Sequence, residues 1–154
     1  MRFAMTIGLL LAIAAAAQAE TLNYGSRAGM QVTVVKKMNL GTTHAKIVTK
    51  HTQENATAYC RDYVLKVTAE CIADELKTQL LPEISANCKT GKFETLGGPG
   101  YQFGGANANY DPTGMSTKYL LVEVGRTEPL DGSIASGYDV ALDQFKAMCP
   151  NRVR

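Results

Sequence analysis

Apolar and polar residues alternate from Gly29 to Lys37 (GMQVTVVKK), with Met30, Val32 and Val34 set against Gln31, Thr33 and Val35. A period of two predicts a strand. MNLGT then turns the chain. THAKIVTKH, from Thr43 to His51, places Ala45 and Ile47 opposite Lys46 and Lys50, so the two segments read as a hairpin. The period changes at Thr52, an N-cap residue followed by Gln53 and Glu54 in a first turn. Ala56, Tyr59, Cys60, Tyr63, Val64 and Val67 then form an amphipathic helical stripe. Ile72, Leu76 and Leu80 keep a helical spacing until Pro82.

From Ile84 the strand pattern returns. ISANCKTGKFETL, the turn GGPG and YQFGG read as a second hairpin, with Phe93, Tyr101 and Phe103 facing the core. Gly104 to Ser116 (GGANANYDPTGMS) is a long polar loop. KYLLVEV, Lys118 to Val124, is the most apolar strand and is expected at the centre of the sheet. RTEPLDGSIASG carries turn residues at Pro129 and Asp131-Gly132. Asp139 is expected to cap a last helix bearing Val140, Leu142, Phe145 and Met148, with Pro150 just beyond Cys149. The fold class that follows is α+β: an antiparallel sheet of about five strands, a helical hairpin and a C-terminal helix.

The first residues alter the picture. MRFAMTIGLLLAIAAAAQA has a basic start, an apolar run and an Ala17-Gln18-Ala19 cleavage site, the three parts of a secretory signal peptide. The run is shorter than the roughly 20 apolar residues of a membrane span. Residues 1–19 are therefore expected to be removed, leaving 20–154 as one domain in the periplasm or outside the cell, with no later membrane anchor. Loss of Arg2 leaves 15 basic residues, one fewer than the 16 of the full chain, against 14 acidic ones. The charges are interspersed, with no basic stripe, which argues against a nucleic-acid partner.

Export also gives the cysteines a meaning. Cys60, Cys71, Cys88 and Cys149 contain no CxxC pair, and an even number outside the cytosol reads as two disulfides. Were residues 53–81 one helix, Cys60 and Cys71 would stand about 16 Å apart at roughly 1.5 Å per residue. A disulfide tolerates a Cα separation of up to about 7 Å. The bond therefore requires a break near Leu65–Thr68, where Thr68 is placed to cap a second helix with Glu70 in its first turn. That arrangement favours Cys60–Cys71 and leaves Cys88–Cys149, although spacing alone permits all three pairings.

Candidate chemistry is sparse. His44 and His51 are seven apart and point to opposite faces of one strand, against a shared metal site. Ser133 and Ser136 in DGSIASGY, with His51, allow a small serine hydrolase as an alternative, but the loop lacks the G-x-S-x-G elbow. GGPGYQFGG lacks the following helix that a phosphate loop needs. NANYDPTG has Pro112 and Lys118 where a calcium loop needs Gly and Glu. Asn55-Ala56-Thr57 is a glycosylation sequon placed inside a helix. No cofactor is implied. Tyr101, Asn107, Asn109, Tyr110 and Asp111 are residue types that grip sugars or peptide backbones. The leading expectation is a non-enzymatic module that contacts a protein or glycan of the cell envelope through loops 97–116 and 126–138.

YGSRAGMQVTVV, KHTQENATAYCRDY, DGSIASGY and FKAMCP resemble a family of small exported, cysteine-containing proteins of Gram-negative soil and plant-associated bacteria. The resemblance spans nearly the whole mature chain. It implies a periplasmic single domain with paired cysteines and transfers no catalytic or binding residue.

Overall fold

A computed structural model describes residues 19–154 other than Met115. The leader expected over residues 1–19 therefore lies, except for Ala19, outside the described residues. Seven strands follow one another in chain order, every adjacent pair antiparallel. They are β1 (Thr21–Asn23), β2 (Gln31–Met38), β3 (Ala45–Lys50), β4 (Glu83–Asn87), β5 (Lys92–Glu94), β6 (Gly100–Ala106) and β7 (Tyr119–Glu123). Helices α1 (Gln53–Asp62) and α2 (Ala69–Glu75) lie between β3 and β4, and α3 (Tyr138–Met148) follows a short 3-10 turn, Ile134–Ser136.

The inward positions of the strands meet α3. Val32, Ile47, Ile84, Phe93, Phe103 and Leu121 are buried in one cluster with Ala141, Phe145 and Met148 of the helix. Phe145 stacks on Phe103 at 4.5 Å and lies 4.9 Å from Phe93, while α3 also touches β1, β3 and β4. One helix reaching strands from β1 to β6 requires a sheet that curls around it. Full burial of a ring such as Phe145 contributes on the order of 2–3 kcal/mol. In β2 a bulge between Val34 and Lys36 interrupts the alternation and turns Val35 outward, 60% exposed.

The sheet has seven strands where about five were expected. β1 is only three residues long and carries a single buried side chain, Leu22, too little for a period to show. The expected strand over ISANCKTGKFETL is two strands. The Asn87 carboxamide oxygen accepts from the amides of Lys89 (3.1 Å) and Thr90 (3.0 Å), and the Gly91 amide donates to the Asn87 carbonyl at 2.7 Å. Asparagine here folds the chain on itself.

The apolar KYLLVEV segment lies at the edge of the sheet, not its centre. Its open side is partly covered by the chain that follows, where the Leu130 amide donates to the Leu121 carbonyl at 2.8 Å. The cap of α3 is Gly137 with φ +73°, not Asp139, which lies inside the first turn. Helix α2 stops at Glu75, so Leu76 and Leu80 are not helical as their spacing had suggested.

The expected break in the helical segment is present. Thr52 Oγ1 accepts from the Asn55 amide, and the Asn55 side chain accepts from the Thr52 amide, closing a capping box. Buried in that box, Asn55 has its oxygen engaged, so the sequon is built into a helix start. Helix α1 ends at Asp62, Leu65 takes φ +59°, and Thr68 Oγ1 accepts from the Cys71 amide to start α2. Tyr63, Val64 and Val67, expected on the buried stripe, are instead exposed in the connection. Cys60–Cys71 and Cys88–Cys149 are bonded, with Cα separations of 6.1 and 5.5 Å. The second bond ties the end of β4 to the C-cap of α3. No helix among the described residues is long and apolar enough to cross a membrane.

Candidate functional site

The segment from Tyr24 to Met30 leaves β1 and returns to β2, closed by the Tyr24 amide donating to the Met30 carbonyl at 3.1 Å. It leans on α1. Gly29, at φ +76°, passes against the backbone of Ala58 and Tyr59. The Arg27 guanidinium lies over the Tyr63 ring at 4.7 Å, and that ring stacks on Tyr59 at 5.4 Å. The helical hairpin clipped by Cys60–Cys71 is thus the buttress of this loop.

Facing the loop is the entry to α3. Asp131 accepts from the amide and hydroxyl of Ser133, and the Ser136 hydroxyl donates to the carbonyls of Asp131 and Ser133 at 2.7 Å. These bonds shape the 3-10 turn, and the contacts from Ser133 hold the Asp131 carboxyl below its ordinary range. Gly137 then turns the chain into the helix. Between loop and helix lie two adjoining cavities of about 460 and 310 Å³ that share Gly25, Ser26, Ile134, Gly137 and Val140. The first is walled by Arg27, Asp139 and Asp143; the second is floored by Tyr24, Thr95, Tyr101 and Gln144.

The walls differ in character. Asp139 and Asp143 stand one helical turn apart, and neither forms an ion pair among the described residues. Ile134, 76% exposed, gives the rim an apolar side chain. The floor is rigid: buried Gln144 accepts from the Leu96 amide at 2.8 Å and donates to the Asn23 carbonyl at 2.7 Å.

Behind Tyr24 lies a buried polar cluster. The Tyr24 hydroxyl donates to Glu75 Oε1, and His51 Nε2 stands 3.7 Å from the same oxygen. The Tyr24 and His51 rings meet edge to face at 5.5 Å. The His51 side chain is 11% exposed, and both its ring nitrogens are buried without a hydrogen-bond partner among the described residues. Burial lowers the imidazole pKa below 6.5, with Glu75 pulling partly the other way. Burial first, and then Glu75, raise the Tyr24 phenol well above its ordinary value.

The residues expected to bind ligand divide. Tyr101 reaches the groove floor, half-stacked on Phe93. Asn107, Asn109, Tyr110 and Asp111 do not line it. The Asn107 side chain donates to the Thr117 carbonyl and accepts from the Asn109 amide. Asp111 accepts from the amide and hydroxyl of Thr113, contacts that lower its pKa. These polar groups fold their own loop, and only Tyr110 offers a broad exposed face.

Ser133 and Ser136 are engaged in the turn, and neither hydroxyl hydrogen-bonds His51. His44 and His51 flank opposite ends of β3. No three His, Cys, Asp or Glu side chains among the described residues converge as metal ligands would.

Sequence reasoning missed Tyr24, the glycine-flanked loop after it, Glu75 and Gln144. The available signal was YGSRAG itself, six residues rich in small side chains between two strands. Comparison of the chain with protein-family models, curated proteins and solved structures finds no match.

Proposed function

We propose that this chain is an exported, non-catalytic binding protein whose groove between the Tyr24–Met30 loop and the start of α3 receives a polypeptide segment of a cell-envelope partner. The groove carries the reading. It is an open concavity with one loop wall, one helical wall and a floor of Tyr24, Thr95, Tyr101 and Gln144. Asp139 and Asp143 favour a basic side chain in the bound segment, because Arg27 is held toward Tyr63. Exposed Ile134 supplies apolar contact beside them. Export agrees with the leader pattern and with two closed disulfides, which persist in oxidising compartments.

Titration of the ¹⁵N-labelled protein with two ten-residue peptides, one lysine-rich and one glutamate-rich with the same apolar residues, tests the proposal. The basic peptide is expected to shift the amides of Gly25, Ser26, Gly137 and Val140, and Asp139→Asn with Asp143→Asn to remove the effect. Equal shifts with both peptides, or none at millimolar concentration, would overturn it.

A further inference from the structure

We propose that protonation of His51 draws the Glu75 carboxylate away from Tyr24, so that a proton bound behind the groove releases its aromatic floor. Two side chains face one carboxylate oxygen, and only one of them is within hydrogen-bond reach of it. In the arrangement described, Tyr24 holds Glu75 Oε1, and the neutral imidazole faces that oxygen at 3.7 Å, beyond hydrogen-bond reach. An imidazolium N–H makes a charge-assisted bond of about 2.8 Å to a carboxylate, stronger than the phenol's. Closing the gap from 3.7 Å moves the two groups together by about an ångström, and in the proposed switch the carboxylate makes that movement, at the expense of its contact with Tyr24. Among the described residues His51 has no competing hydrogen-bond partner to give up.

The groups that face His51 are Glu75 from α2 and Tyr24 from the loop after β1, with Tyr59 of α1 acting on Tyr24 from behind. Glu75 ends the helix that Cys60–Cys71 clips to α1, so the carboxylate belongs to the same braced unit that supports the Tyr24–Met30 loop. Tyr24 is the link, bonded to Glu75 on one side and lining the groove on the other. A bound proton is thereby converted into a change at the groove floor, and burial of His51 places the response below the ordinary imidazole value of 6.5.

The functional meaning of the switch rests on the groove reading, but its test needs no ligand. Imidazole carbon resonances of His51 and amide resonances of Gly25 and Ser26 are followed from about pH 7.5 to 4.5, a range that spans the histidine titration. A common midpoint below 6.5 is expected for all three residues. His51→Leu is expected to flatten the two amides. Tyr24→Phe, which removes one oxygen and keeps the ring, is expected to flatten them while His51 still titrates. Flat amides in the unaltered protein, or full-amplitude shifts in Tyr24→Phe, would overturn the coupling. Failure of the peptide titration alongside a common midpoint would remove the proposed ligand and leave the switch standing.

Discussion

Gly29 touches the backbone of Tyr59: a Cβ at Gly29 would stand 2.6 Å from both the Cα and the amide nitrogen of Tyr59. Neither atom can move without unwinding α1, and φ at Gly29 is +76°. Gly29→Ala is therefore expected to combine a left-handed backbone cost with overpacking, about 2–4 kcal/mol in all. Gly41 is the matched control, because it has nearly the same φ, +77°, and a Cβ there meets nothing nearer than 3.7 Å. Gly41→Ala is expected to cost only about 1–2 kcal/mol. Urea unfolding of the two variants checks this, and equal losses would mean that the contact with α1 is unimportant.

Gln144 joins two parts of the chain that no strand pairing connects. With its side chain fully buried, Gln144→Leu leaves the Leu96 amide and the Asn23 carbonyl without partners. The Leu96 amide is the buried one, and an unsatisfied buried group costs about 1–3 kcal/mol, so a loss of that size is expected, while the carbonyl of exposed Asn23 can turn to water. The Leu96 amide is also expected to lose hydrogen-exchange protection ahead of its neighbours in the core. Unchanged protection would show that water or a shifted side chain replaces the glutamine.

The fold was legible where local patterns decide it. Alternation marked β2 and β3, Thr52 and Thr68 marked two helix starts, and the distance limit on Cys60–Cys71 exposed the break at Leu65. What escaped depends on contacts distant in sequence. The three residues of β1 are a strand because β2 pairs with them, and KYLLVEV reads as central by composition yet ends the sheet. The groove was half visible. Tyr101 belongs to it, and Ile134, Ala135 and Gly137 of the expected 126–138 loop form part of its wall. Asn107 to Asp111 looked like ligand-gripping residues because turn-building and ligand-binding use the same side chains. Tyr24 follows β1, His51 follows β3 and Glu75 ends α2, and nothing in their spacing brings them together.

The two disulfides are expected to act differently. Cys60–Cys71 closes a short loop and Cys88–Cys149 one with a sequence separation of 61. On the chain-entropy account their contributions are about 3 and about 4 kcal/mol. Paired serine substitutions measured by thermal unfolding check the order. The smaller contribution has the more local consequence. Loss of Cys60–Cys71 is expected to raise hydrogen exchange in residues 24–30, whose support is α1, while loss of Cys88–Cys149 leaves that loop as it was. Equal exchange there in both variants would separate the hairpin from the groove.

Acid stability is expected to fall in two stages. Because burial lowers the His51 pKa in the folded protein, the unfolded chain binds that proton more tightly. The stabilisation is complete above the ordinary value of 6.5, is lost as pH falls from there toward the folded value, and changes no further below it. Asp111 and Asp131 have pKa values lowered by their turn hydroxyls, so their contributions are present above 3.8 and are lost as pH falls below it. His51→Leu is expected to flatten the first stage and leave the second, whatever its stability at neutral pH. Unfolding midpoints in urea, measured from about pH 7.5 to 3, check the shape. A first stage that survives His51→Leu would place the titrating group elsewhere.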